Sequence, residues 1–308
     1  MNAFFPTESP QDKINEQLLE AAKNGDLPAA QRLIPLSSNL FNPPGAHFHT
    51  ALEEAAKHGH TQIVRSILCV FKQTKPSEKG PSELLLPLYA SLLNGHLACA
   101  EELATALPAH VFSQPEWIAA PDVLLRAAIV AHRDAMACLR LVFDLLGPDL
   151  VAQFANDALR FAAERQKPDL LRLLLPFADP NDQNKAGETA LICSCAPPRG
   201  GGGELIDGQA TELLLPVSDP TLLTRQGNTA WMLAAMHEAW PCLDALGADQ
   251  LRREPHNDNL RVFLRERQDR LPKCAAYLEA ESLQTALGKD KIGSPVDMPA
   301  IAAPTKRL

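Results

Sequence analysis

The sequence has few of the residues that build β-sheets. Only 5% of its 308 residues are aromatic, two of them tyrosine, and runs of Val, Ile or Thr are scarce. Because strands favour β-branched and aromatic side chains, this composition argues against a sheet-rich fold. Helix-forming residues dominate and 46% of the residues are hydrophobic. The sequence therefore predicts an all-α protein with a large core.

Clusters of positive charge and long apolar runs are also missing. The formal net charge is −8, and no Lys/Arg cluster is longer than a pair. A nucleic-acid-binding surface is normally basic, so we expect no nucleic acid among the partners. No stretch reaches 18 apolar residues, and the N-terminus lacks the basic and apolar regions of a secretory signal. These absences predict no contact with a membrane.

The seven cysteines form no framework of regular spacings. An odd number of cysteines without a pattern is typical of a reducing compartment, so we expect a cytoplasmic protein. Cys193 and Cys195 are two residues apart, and on a helix their thiols would diverge by about 200°, which disfavours a shared metal ion. "RGGGGE" at 199–204 lacks the Lys-Ser/Thr pair of a phosphate-binding loop. We therefore expect neither a metal nor a cofactor.

Two stretches of the chain carry the same pattern. "PFADPNDQNKAGETAL" at 176–191 and "PVSDPTLLTRQGNTAW" at 216–231 share Pro, Asp-Pro, Gly and Thr-Ala at positions displaced by 40 residues. The stretch that begins at Thr189 and again at Thr229 forms a repeated unit. It has a small residue, then apolar positions, then two adjacent small residues and a turn. This unit occurs seven times, starting at 16, 50, 86, 122, 157, 189 and 229. Such a period is typical of repeat proteins whose neighbouring units share one core.

"TALEEAAKHGHTQIVRSIL" at 50–68 and "LLLPFADPNDQNKAGETAL" at 173–191 resemble ankyrin repeats, whose pattern is G-x-T-P-L-H-x-A-A-x-x-G-H followed by an apolar second helix. The resemblance covers roughly residues 15–246. It implies an all-α solenoid of about seven helix-turn-helix repeats with a C-terminal helical cap. It also implies that this chain, as a monomer, binds another protein through a concave face made by hairpin tips and first helices. The sequence offers no catalytic triad and no paired carboxylates in one site, so we expect no enzymatic activity.

Four segments are expected from the extent of the pattern. They are a disordered N-terminus at 1–14, the repeat domain at 15–250, capping helices at 251–287 and a disordered tail at 288–308. The tail leaves a second interpretation open, in which the protein is an adaptor or a bacterial secreted effector. Its output would then depend on the C-terminal region, and its site of action would be the host cytoplasm.

The resemblance also gives the positions that would contact a partner. They lie one residue after the conserved Leu of the first helix and directly after its pair of small residues. The predicted partner-binding residues are Tyr89, Leu93, Leu125, Ile129, Arg160, Arg165 and Met232. Four adjacent apolar residues in the third and fourth repeats would form an exposed patch, which is typical of a binding site. The alternative is that these four residues belong to the core.

Two recurring residue types are expected to be structural. Cys99, Cys138 and Cys242 occupy one position of the repeat that holds Ala, Ile or Leu in sibling repeats, so they are predicted to be core residues. His60 and His96 follow the turn glycines, and the resemblance implies that they bond to the backbone of a neighbouring repeat.

Overall fold

The computed structural model describes residues 9–37, 50–73, 83–107, 111–112, 119–197 and 206–252. This part of the chain contains helices and no β-strand. Its α-helices are α1 Pro10–Asn24, α2 Leu27–Leu33, α3 Ala51–Lys57, α4 Thr61–Gln73, α5 Leu85–Asn94, α6 Leu97–Ala106, α7 Ala120–Ile129, α8 Ala135–Glu164, α9 Pro168–Leu174, α10 Ala190–Ser194, α11 Gln209–Leu214, α12 Ala230–Met236 and α13 Trp240–Arg252. Across the described ranges, no helix combines the length and the apolar character needed to cross a membrane.

The helices form seven successive pairs. First helices contact the first helices of the neighbouring pairs, as α1 does with α3, α3 with α5 and α5 with α7. Second helices do the same, as α2 does with α4 and α4 with α6. One helical pair cannot bury its own apolar side, so the pairs share a core along the stack. The predicted solenoid of seven helix-turn-helix repeats is confirmed.

Helix α8 supplies both the second helix of the fourth pair and the first helix of the fifth. The two segments meet at Gly147, whose φ of 76° and ψ of 165° are non-helical, and at Pro148. Glycine adopts this positive φ without the penalty that a Cβ imposes, and proline fits the first turn of a new helix because it needs no donor there. The chain therefore turns between the fourth and fifth repeats without a hairpin.

Threonine at the start of the repeat unit caps the first helix. The hydroxyls of Thr50, Thr189 and Thr229 each accept a hydrogen bond from the backbone N–H three residues later, at 3.1–3.2 Å. This contact satisfies a backbone donor that the helix itself leaves unpaired. The recurring Thr-Ala of the sequence pattern thus marks where a first helix begins.

The histidines after the turn glycines connect neighbouring repeats, as predicted. The Nε2 atom of His60 lies 3.1 Å from the carbonyl oxygen of Lys23, and His96 bonds in the same way to the backbone of Lys57. Gly59 has a φ of 78°, and a Cβ on it would lie 2.6 Å from the His96 ring. Glycine is therefore needed there for both the turn and the space.

The core follows the repeat pattern. Small residues that precede the turns, such as Ala22, Ala56 and Ala163, are fully buried between helices. Cys99, Cys138 and Cys242 are also fully buried, which confirms their predicted place in the core. Burial raises the pKa of the Cys138 thiol to about 11, so this thiol stays protonated and behaves as a small apolar group.

Two predicted boundaries fall within or beside the described residues. Helix α1 begins at Pro10, and Ser9 and Asp12 form a capping box at its start, so the prediction of disorder is wrong for residues 9–14. The chain divides into two compact units after Leu246, and α13 continues to Arg252. Residues 253–308, with most of the predicted cap and the whole predicted tail, lie outside the described residues. The "RGGGGE" stretch at 199–204 also lies outside the described residues.

Candidate partner-binding surface

Two hairpins precede the first helices of the sixth and seventh repeats, and they have the same internal hydrogen bonds. In the hairpin at 178–189, the N–H of Asn184 donates to the Glu188 carbonyl at 3.1 Å. In the hairpin at 218–229, the N–H of Thr224 donates to the Asn228 carbonyl at 2.9 Å. Each hairpin turns at a glycine of positive φ, Gly187 or Gly227. The residues shared by the two 16-residue stretches therefore define one repeated turn.

The two hairpins are also bonded to each other. The N–H of Arg225 donates to the Ala186 carbonyl at 2.8 Å, and the Gln183 side-chain amide donates to the Leu223 carbonyl at 3.0 Å. At the base, the N–H of Asp219 donates to Oδ1 of Asn181 at 2.6 Å. These bonds hold the hairpins side by side as one rigid surface.

A groove lies between the two hairpins and α12, the first helix of the seventh repeat. We call it the hairpin groove. Its volume is about 450 Å³. The groove is lined by Lys185, Ala186, Glu188, Thr224, Arg225, Gln226 and Leu233. A smaller cavity of about 20 Å³ adjoins it, because Glu188 and Leu233 line both.

The acidic side chain of the hairpin groove has a hydrogen-bond partner, whereas its two basic side chains meet no carboxylate among the described residues. The Glu188 carboxylate accepts a hydrogen bond from the Asn184 amide at 2.7 Å. Lys185 and Arg225 are exposed, and within the described ranges neither side chain meets a carboxylate. Leu223 beside the groove is 49% exposed and Met236 on α12 is 66% exposed. The surface thus combines two cations with apolar side chains.

Two guanidinium groups lie near one aromatic ring where the first helices of the fourth and fifth repeats meet. The guanidinium carbon of Arg126 is 4.9 Å from the centroid of the Phe161 ring, and that of Arg165 is 5.2 Å from it. Arg126 also donates to Asp122 on its own helix at 2.9 Å. Stacking of this kind stabilises a charged side chain against an aromatic face by about 0.5–1 kcal/mol at exposed sites. The contact joins α7 to the second segment of α8.

The prediction of an exposed apolar patch is wrong for the fourth repeat. Leu125 and Ile129 are fully buried, whereas Val123 is 44% exposed. Leu125 lies about 200° around the helix from Val123, so it points into the stack when Val123 points out. Tyr89 and Leu93 on α5 are half-buried, and Leu86 on the same helix is 62% exposed. The four residues therefore do not form one continuous patch.

The structure separates the three other predicted partner-binding residues. Arg160 is only 8% exposed and forms ion pairs with Asp157 on its own helix and with Asp182 in the first hairpin, so its role is to hold that hairpin. Arg165 is half-buried against Phe161, and its Nε has no hydrogen-bond partner among the described residues. Met232 is half-buried on α12, the helix that carries Leu233 of the hairpin groove.

The predictions missed the hairpin side chains, although the sequence carried a signal for them. Lys185 and Arg225 are equivalent within the two stretches displaced by 40 residues. In the sequence, the complete 16-residue hairpin pattern occurs only before the sixth and seventh repeats. The resemblance to ankyrin repeats places the hairpin tips on the binding face. The seven predicted residues all lie on first helices or directly after one, so they do not include the hairpin tips.

The described residues contain no group of three or more His, Cys, Asp or Glu side chains able to hold a metal ion. Cys193 is half-buried and Cys195 fully buried. Burial lowers the pKa of His96, whose ring bonds to backbone rather than lining the hairpin groove.

No family model and no curated protein matches the sequence. Among solved structures, the human ASB11 ankyrin repeat domain is similar, with a TM-score of 0.51 at 21% sequence identity. The similarity covers 78% of this chain and 96% of that domain. This chain has the ankyrin-repeat fold. The ankyrin repeat domain of Bcl-3, a member of the IkappaB protein family, is also similar, with a TM-score of 0.49, 18% identity and coverage of 75% and 97%.

Proposed function

We propose that the protein is an interaction module that binds another protein through the concave face of its ankyrin-repeat stack, with the hairpin groove as the main contact. The ankyrin-repeat fold supports an interaction module in general, since such surfaces recognise targets by local variation on one scaffold. The position of the contact is inferred from the groove itself.

The observation that carries this proposal is that Lys185 and Arg225 line one groove together with an apolar side chain. Both cations are exposed and meet no carboxylate in the described part of the chain, while the half-buried Leu233 lines the same groove. Binding sites commonly combine a hydrophobic surface with a few fixed polar groups. The hairpin groove has both features within about 450 Å³.

The rigidity of the hairpins favours recognition. Bonds from Arg225 to Ala186 and from Gln183 to Leu223 fix the groove before any partner arrives. A pre-organised surface loses little conformational entropy on docking, so more of the contact free energy appears as affinity.

The chemistry of the groove favours a partner segment with a carboxylate beside an apolar side chain. The carboxylate would pair with Lys185 and Arg225, and the apolar group would contact Leu233. The whole chain carries a net charge of −8, so it repels an acidic partner at long range. The attraction is therefore local, and salt weakens exposed pairs of this kind.

Affinity capture from a cytosolic extract tests the proposal. The wild-type protein is compared with Lys185→Glu/Arg225→Glu, which reverses both groove charges. Lys72→Glu/Arg140→Glu is the matched control, because it changes the net charge equally on exposed positions of second helices. We expect a partner that is retained by wild type and control and lost from the groove variant. Equal capture by all three folded proteins would refute the groove as the contact.

A further inference from the structure

A cluster of polar side chains is buried where the sixth repeat meets the seventh. Ser194, Cys195, Thr211 and Cys242 are each fully buried. The hydroxyls of Ser194 and Thr211 are 2.9 Å apart, and the Thr211 hydroxyl donates to Cys242 Sγ at 3.2 Å. The same hydroxyl lies 3.8 Å from Cys195 Sγ. One hydroxyl thus contacts both sulfurs.

Both thiols also lie against Ser194. The Cys242 thiol donates to the Ser194 carbonyl at 3.4 Å, and Cys195 is the next residue along the chain. The neighbouring Cys195 thiol lowers the pKa of Cys242, and the neighbouring Cys242 thiol raises the pKa of Cys195. Burial raises the pKa of Cys195 further. The pair therefore contains one thiol that ionises more readily and one that remains a donor beside it.

This arrangement differs from those of the other buried thiols. Cys99 contacts the hydroxyl of Thr61 at 3.3 Å but has no second thiol beside it among the described residues. Cys138 lies at the same position of the repeat as Cys99 and Cys242 and is surrounded by the core. Only at Cys242, within the described part of the chain, does this position meet another cysteine.

We propose that Cys195 and Cys242 form a modification site, at which a peroxide converts the two thiols into a disulfide that joins the C-cap residue of α10 to α13. A disulfide needs an S–S bond of about 2.05 Å and Cβ atoms about 3.5–4.5 Å apart. Both sulfurs lie within 3.8 Å of the same Thr211 hydroxyl, so rotation of the two side chains is the movement that would bring them to bonding distance.

The reaction proceeds in two displacements. The Cys242 thiolate attacks one oxygen of hydrogen peroxide, the S–O bond forms, the O–O bond breaks, and the leaving hydroxide takes a proton to become water. The Cys195 sulfur then attacks the sulfenic sulfur, the S–S bond forms and the S–O bond breaks, and the leaving oxygen takes the Cys195 proton and departs as a second water. Two thiols and one peroxide give one disulfide and two waters, so the thiols lose two electrons and the peroxide gains them.

Access of the oxidant depends on local opening, because both sulfurs are buried. Helix α10 has five residues and α11 has six, which makes them the shortest α-helices of the described part of the chain. Short helices contribute few bonds and open at lower free energy than long ones.

Peptide mapping of the full-length protein tests the proposal. Protein treated with hydrogen peroxide is denatured, its remaining thiols are alkylated, and it is digested with trypsin without reductant. Cys195 falls in the peptide 186–199 and Cys242 in 226–252. Because Cys193 shares the first peptide, the same map is made with Cys193→Ala. We expect the two peptides to be cross-linked in both proteins, and to separate on reduction.

Three results would overturn the proposal. The first is that both cysteines are recovered as alkylated thiols at a peroxide dose that oxidises the exposed Cys69. The second is oxidation of Cys242 to a sulfinic acid without a cross-link. The third is loss of the cross-link in Cys193→Ala while Cys99→Ser, a matched buried control, retains it. The wild-type map alone decides the first two, so they do not depend on the folding of any variant.

Discussion

The guanidinium of Arg126 lies over the ring of Phe161, 4.9 Å from its centroid. The two residues occupy the same position in the first helices of the fourth and fifth repeats. Leu233 occupies that position in the seventh repeat and lines the hairpin groove. In these three repeats the side chain at this position is half-buried, whereas Leu125, one residue before Arg126, is fully buried.

The opposite environments of Leu125 and Val123 give a stability prediction. Leu125→Ala removes a fully buried side chain, so we expect the free energy of unfolding to fall by about 2–5 kcal/mol. Val123→Ala, at a position that is 44% exposed, is expected to change it by about 0.5 kcal/mol or less. Urea unfolding followed by helical circular dichroism measures both. Similar losses for the two variants would contradict the assigned orientation of α7.

His96 gives a prediction about pH. Burial lowers its pKa below the ordinary value of 6.5, so the unfolded chain binds a proton at this site more readily than the folded chain does. Its contribution to stability is therefore present above about pH 6.5 and is lost as the pH falls below that value. An NMR titration of the imidazole should give a pKa below 6.5, and His96→Asn should reduce the loss of thermal stability between pH 7 and pH 5.

The control for that experiment is His132→Asn, at an exposed histidine that holds the same position in the fourth repeat. A smaller pH dependence in His96→Asn than in this variant would assign the effect to position 96. A pKa for His96 at or above 6.5 would show that the ring is not held in a partly buried contact with the Lys57 backbone.

Gln166 gives a prediction about backbone strain. It occupies the position of the turn glycine in the fifth repeat with a φ of 51°, and its side-chain amide donates to the Ser194 carbonyl at 2.7 Å. Gln166→Ala keeps the unfavourable φ and loses the bond, whereas Gln166→Gly loses the bond and relieves the φ. We expect the Ala variant to be less stable than the Gly variant by about 1 kcal/mol, since a Cβ penalises left-handed backbone by about that amount. Equal stabilities in chemical denaturation would contradict the left-handed conformation.

Much of the fold was predictable because short patterns have local causes. Thr50 caps a helix with its own hydroxyl, His60 reaches a backbone carbonyl of the preceding repeat, and Cys99 occupies a position that sibling repeats fill with apolar residues. Each of these contacts is fixed by the repeat itself, so counting positions along the chain locates it.

The binding surface was less predictable because it depends on how a helix is rotated about its axis. Leu125 and Tyr89 hold the same position in the repeat, yet Leu125 is fully buried and Tyr89 half-buried. The turn at Gly147 joins two repeats without a hairpin and places Phe161 against Arg126, which no pattern of single residues indicates. Gln166 likewise replaces a glycine without changing the turn.

The central claim is that the hairpin groove meets the partner, and site-specific photo-crosslinking tests it most directly. A benzoylphenylalanine is placed at Gln226, an exposed residue that lines the groove, or at Asp169, an exposed residue of α9. After irradiation in cytosolic extract, we predict one covalent partner from position 226 and none from position 169. If the protein retains a partner that cross-links from position 169 and not from position 226, the partner lies on the second helices and the account is wrong.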